Sequence, residues 1–159
     1  MGRSIWRTEP PGVLAATHQV DVATLVRAAV TAAGYRLCGE YAELDSALSA
    51  AARLRPEVCV LDDALTRNLP SAVTAVEGCS PGTRIVIVAA ELSEAACTEA
   101  MGAGARGYVS ASAPPAGLAS ALRDVLAGEV AVPRGLVRSL VVKFVAIDRS
   151  VSASHNSSS

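Results

Sequence analysis

Asp62 and Asp63 close a run of apolar residues, PEVCVLDDAL at 56–65, and they are the pair in this chain best suited to chemistry. Adjacent carboxylates can hold a divalent cation, exchange a proton or accept a phosphoryl group. Each use needs company: more oxygen ligands for the cation, or fixed positive charge beside the group in transfer. The neighbourhood offers little of either. Neighbours on a strand point to opposite faces, so Asp63 is not expected to share the environment of Asp62. Asp21, early in a helical stretch, is a further carboxylate within conceivable reach, and His18 is the nearest imidazole. A lone histidine beside a strand end is most often structural. With no cation to hold, removal of Asp62 is expected to cost the fold little. Cys38, Cys59, Cys79 and Cys97 are scattered with no C-x-x-C spacing, so no metal set is expected from them. Cys38 and Cys59 read instead as small hydrophobes buried within strands.

These residues must be positioned by the elements around them. Short apolar runs alternate with stripes at helical spacing. GVLAA (12–16) precedes Val22, Leu25, Val26 and Ala29; YRLCGE (35–40) precedes Leu44, Ala47, Leu48 and Ala51. VCVL (58–61) leads to a segment around Ala72, Val73 and Val76. RIVIVAA (84–90) leads to SEAACTEAM, with Ser93 as its N-cap. GYVS (107–110) precedes Leu118, Ala121, Leu122 and Val125, entered through Pro114 and Pro115, where a missing N–H costs nothing. Five strands alternating with five helices predict a doubly wound α/β domain, a five-stranded parallel sheet with helices on both faces. One more amphipathic stripe follows, Val137, Leu140, Val141 and Phe144, in a helix predicted over 133–145 and opened by Pro133. The divisions are an extended or disordered start over 1–11, the α/β domain over 12–128, a linker or extra helix over 129–147, and a Ser-rich tail over 148–159 that reads as disordered.

Composition narrows the function. The chain has 159 residues, 51% hydrophobic but only 3% aromatic, so its core must be built from Ala, Val and Leu. A net charge of −1, with thirteen arginines and the single Lys143 in no cluster, gives no footprint for nucleic acid. MGRSIWRTEPPG has no apolar centre, so it does not read as a signal peptide. No apolar run approaches the roughly 18 residues of a membrane span. A cytoplasmic location is expected. A nucleotide-binding enzyme would need a Gly-rich loop after the first strand, and AATHQVD has no glycine.

In an open parallel sheet, function gathers at the C-terminal ends of the strands. There the chain presents Ala16 and Thr17, then Asp62, then Ala89, then Ala111. The ordered set GEYAELDSALSAAARLRPEVCVLDD, RIVIVAA, GAGARGYVS and LRDVLAGEVAVP resembles the response-regulator receiver domain, a CheY-like, flavodoxin-like fold, in its NarL/FixJ-type branch. The resemblance runs over about residues 12 to 128.

The resemblance implies a phosphoacceptor at Asp62 and a switch aromatic at Tyr108. It also exposes departures. Ala16 and Thr17 stand where an acidic pair would hold Mg²⁺, Ala89 where a Ser or Thr would meet the phosphoryl group, and Ala111 where a lysine would pair with it. Thr66 replaces the usual proline four residues beyond the acceptor. Phosphoryl transfer rests almost wholly on positioning and charge stabilisation. The expected reading is therefore an atypical receiver, not an enzyme, with no cofactor and no metal. Its partners would be a protein, a second copy of the chain in a homodimer, or a small-molecule ligand, with no nucleic acid bound by this chain alone and no membrane. The alternative is the N-terminal regulatory domain of a LuxR/NarL-type transcription factor still phosphorylated on Asp62. Whether an output domain accompanies the receiver is left open by the sequence.

Overall fold

A strand buried on both faces needs apolar residues along its interior, and three of the five strands are built so, with a polar residue only at an end. The computed structural model describes residues 9–137. Five strands, β1 (Gly12–Ala16), β2 (Arg36–Tyr41), β3 (Val58–Asp62), β4 (Arg84–Ala89) and β5 (Gly107–Ser110), form one sheet in the order β2-β1-β3-β4-β5. All neighbouring strands are parallel. They alternate with α1 (Val20–Ala33), α2 (Leu44–Leu54), α3 (Leu69–Cys79), α4 (Glu94–Ala103) and α5 (Pro115–Leu126). The predicted doubly wound parallel architecture is therefore the observed one. A short 3-10 turn, Asp63–Leu65, follows β3 directly.

The pleat divides the core in two. Val13, Ala15, Val58, Val60, Val86 and Val88 face α1 and α5. Leu14, Ala16, Cys59, Leu61, Ile87 and Ala89 face α2, α3 and α4. With so few aromatics the packing unit is small, and Tyr108 is the largest fully buried side chain. β2 departs from the expected continuous burial because it lies at an edge and its residues are only partly covered. Its Cys38 is half-buried accordingly, its thiol donating to the Val13 carbonyl at 3.4 Å, whereas Cys59 is buried as expected.

Helix boundaries follow local chemistry. Gly34 closes α1 at φ 76°, a left-handed conformation that costs glycine little. Ser93 caps α4 by accepting the Ala96 N–H, and Pro115 opens α5, both as predicted. Asn68 caps α3 by accepting the Ser71 N–H. After α5 the chain turns at Gly128 and runs beside β5. The Ala131 N–H donates to the Arg106 carbonyl at 2.9 Å, and the Tyr108 N–H donates to the Ala131 carbonyl at 2.8 Å. Residues 134–137 are helical, with the Leu136 N–H on the Pro133 carbonyl. Leu136 packs on the α2–α4 side of the core, whereas Val137, the first residue of the predicted stripe, is 41% exposed. Leu140, Val141 and Phe144, and the tail over 148–159, lie outside the described residues.

Candidate functional site

Strand order reverses at β1, since α1 leads outward to β2 on one face and α2 returns to β3 on the other. Ala16 pairs with Leu61, so the residues just beyond, Thr17 and Asp62, meet where the sheet splits. Asp62 is 1% exposed. Its Oδ2 accepts the Thr17 hydroxyl at 2.6 Å, and its Oδ1 accepts the Ala64 N–H at 3.0 Å, capping the 3-10 turn. The Thr17 oxygen is also occupied: it accepts the Gln19 N–H at 3.0 Å at the entry to α1. A chain of hydrogen bonds thus runs from the start of α1, through Thr17, to the end of β3.

The neighbouring positions are apolar. Ala16 and Ala89 are buried in the α2–α4 side of the core. Ala111 lies against the α1–α5 side, and its N–H donates to the Ala89 carbonyl at 2.8 Å. Asp63 is not on the strand, so the pleat does not turn it away. It begins the 3-10 turn, and its Oδ1 accepts the Ala90 N–H at 3.3 Å. Burial raises the Asp63 pKa, the charge of Asp62 raises it further, and the Ala90 N–H opposes both. The two carboxylates keep different partners, yet they are close enough for the charge of Asp62 to disfavour that of Asp63.

Tyr108 points inward. Its hydroxyl accepts the Ser93 N–H at 3.0 Å and approaches the Glu91 carbonyl at 3.5 Å. Burial raises its pKa, which favours the neutral donor. The loop over residues 90–93 is consequently pinned at both ends, by Asp63 and by Tyr108. Thr66 supplies a local turn in place of a proline, its hydroxyl accepting the Asn68 N–H at 3.0 Å and donating to the Asn68 carbonyl at 3.1 Å. His18 and Asp21 are exposed. Among the described residues no three His, Cys, Asp or Glu side chains are grouped to hold a metal, the cysteines and Asp21 included. Burial pushes the Cys59 thiol up to about 12 and the Cys97 thiol up to about 11, as for inert core residues.

Sequence reasoning placed Asp62, Ala16, Thr17, Ala89 and Ala111 around one point, and they do gather there. It missed the hydroxyl of Thr17 as the partner of Asp62. The available signal was the residue type itself, a hydroxyl donor directly after two alanines. The expectation that Asp62 makes few strong contacts is accordingly revised.

The donor set can be tested against Mg²⁺, which takes oxygen ligands and commonly one or two carboxylates. One oxygen of Asp62 receives an O–H and the other an N–H, Asp63 is turned to Ala90, and the remaining positions carry methyl groups. The residues present do not fit that ion.

Neither a protein-family model nor a curated protein matches the sequence. Solved structures do. A LuxR-family two-component response regulator from Aurantimonas sp. SI85-9A1 is 24% identical with a TM-score of 0.75, over 86% of this chain and 99% of that one. The signal receiver domain of the putative response regulator NarL from Mycobacterium tuberculosis is 21% identical with a TM-score of 0.69, over 76% of this chain and 99% of that one. The isolated REC domain of RcsB from Salmonella enterica serovar Typhimurium, solved with the phosphomimetic BeF3⁻, is 16% identical with a TM-score of 0.72, over 82% of this chain and 98% of that one. The fold assembled from these residues is the receiver-domain fold of response regulators, with a threonine hydroxyl on the carboxylate at its centre.

Proposed function

We propose that this chain is an atypical receiver, a signalling module of a two-component-type response regulator that works by binding rather than by Mg²⁺-dependent phosphotransfer. The observation that carries the reading is the 2.6 Å bond from Thr17 to Asp62. A carboxylate that accepts a hydroxyl and an amide has less free electron density for a phosphoryl donor. No cation among the described residues stands beside it to stabilise the charge that would develop. We assign it no catalysis of its own and a cytoplasmic location. Its partner is another protein, first of all a second copy of itself, because isologous pairing is the commonest oligomer. A small-molecule ligand would be the other kind of partner. DNA is not bound by this chain alone.

Incubation with acetyl phosphate and Mg²⁺, followed by intact mass, tests the reading. The expected outcome is no gain of one phosphate. A Mg²⁺-dependent gain that disappears in Asp62→Asn would instead establish the alternative, a regulatory domain still phosphorylated on Asp62. Light scattering on the full chain at micromolar concentration tests the homodimer.

A further inference from the structure

Two of the five large apolar residues exposed among the described residues, Leu92 and Val130, lie together at one groove. Leu92 and Val130 line a groove of about 390 Å³ between the upper part of β5, α5 and the segment over 130–133. Val109, Ala121 and Pro133 complete its apolar wall. One charge lines it, Asp124, with the hydroxyls of Ser110 and Ser120; no Lys or Arg does. Asp124 is half-buried, and its carboxylate has no hydrogen bond or ion pair among the described residues. The groove therefore suits an apolar stripe that brings one positive charge.

The chain carries such a stripe. Residues 134–147, RGLVRSLVVKFVAI, contain Arg134, Arg138 and Lys143 and no acidic residue, and Leu140, Val141 and Phe144 recur at helical spacing. At about 1.5 Å per helical residue, 138–147 would extend about 15 Å, long enough to lie along such a groove. The chain leaves the groove at Pro133 and sets Leu136 on the α2–α4 side of the core.

We propose that the groove receives residues 138–147 of a second copy, with Leu140, Val141 and Phe144 on its apolar wall and Lys143 facing Asp124. Each copy would give its segment and receive its partner's, closing the pair. The inference rests on the homodimer reading above and names the surfaces that make it.

The test uses the full chain. Asp124→Lys should raise the dimer dissociation constant by ~tenfold or more, and adding Lys143→Asp should recover most of that loss. A photo-crosslinking residue in place of Ser120, in an equal mixture of unlabelled and heavy-isotope chains, should yield mixed-isotope peptides joining the groove to 138–147. Crosslinks within one chain only, or to any other segment, overturn the inference. So does a charge exchange without recovery. A dimer by light scattering with either of these results leaves the homodimer reading standing, whereas a monomeric chain removes both.

Discussion

The end of the sheet around Asp62 and the groove beside β5 are opposite kinds of surface. At the first, the polar side chains have partners: Asp62 has Thr17 and Ala64, Thr17 has Gln19, and Asp63 has Ala90. No buried side-chain nitrogen or oxygen among the described residues lacks a hydrogen bond. At the second, apolar side chains face water and the Asp124 carboxylate has no partner among the described residues. A buried polar cluster that is fully satisfied is rigid and discourages new ligands, since each must replace a bond already made. Exposed apolar area gains by being covered. The contrast supports the proposed reading, in which reactivity is low at the strand ends and binding capacity lies beside β5.

The strongest way to break the comparison is to unsatisfy the first region. Thr17→Val would leave an Asp62 oxygen buried without a donor and remove the acceptor for Gln19, with an expected loss of about 2–3 kcal/mol by urea unfolding. Thr17→Ser should retain most of the stability, and an equal loss in both would assign the effect to the Thr17 methyl instead. Asp62→Ala should cost about 1–2 kcal/mol, because the Ala64 N–H and the Thr17 hydroxyl lose their acceptor. Asp62→Asn should cost under about 1 kcal/mol, since an amide can accept from Ala64 and donate to Thr17. A larger loss in the asparagine variant would show that the charge itself is needed.

Tyr108→Phe sharpens the picture of the pinned loop. It removes the acceptor for the Ser93 N–H, and about 1 kcal/mol should be lost, with faster amide exchange in residues 90–93. Unchanged exchange there would mean that Asp63 alone holds the loop.

The smallest effect is a pH dependence. The folded pKa of Asp63 is raised above its unfolded value, so the folded state binds that proton more tightly. Its contribution to stability is therefore present at low pH and falls as pH rises from the ordinary aspartate range through the folded pKa. Asp63→Asn should flatten that fall and be relatively more stable at neutral pH, as read from unfolding across pH 4 to 7. A steeper fall in the variant would contradict the sign.

The fold was legible because strands covered on both faces cannot conceal themselves: VCVL and IVIVA leave no polar position inside. Ser93 and Pro115 marked helix starts because capping is a local property. The site was legible as a set of positions and not as a set of contacts. Thr17 meets Asp62 across 45 residues, and that meeting depends on the register of Ala16 with Leu61. The direction of Asp63 depended on β3 ending at Asp62, one residue before the pleat would have turned it away. At the C-terminal end, periodicity identified an amphipathic helix but could not say which side chain would find the core first. Leu136 is that residue, while Val137 stays half in water.

Ala131 has a consequence for how the protein behaves in solution. By bonding to Arg106 and Tyr108 it occupies backbone groups along the outer margin of β5 that would otherwise be free to pair with another strand. A chain cut at Gly128 would keep all five helices and strands yet present an unguarded margin, ready to recruit a strand from a neighbouring molecule. Such a fragment should lose solubility before it loses helix content, because the five residues after Gly128 protect the sheet from its own continuation.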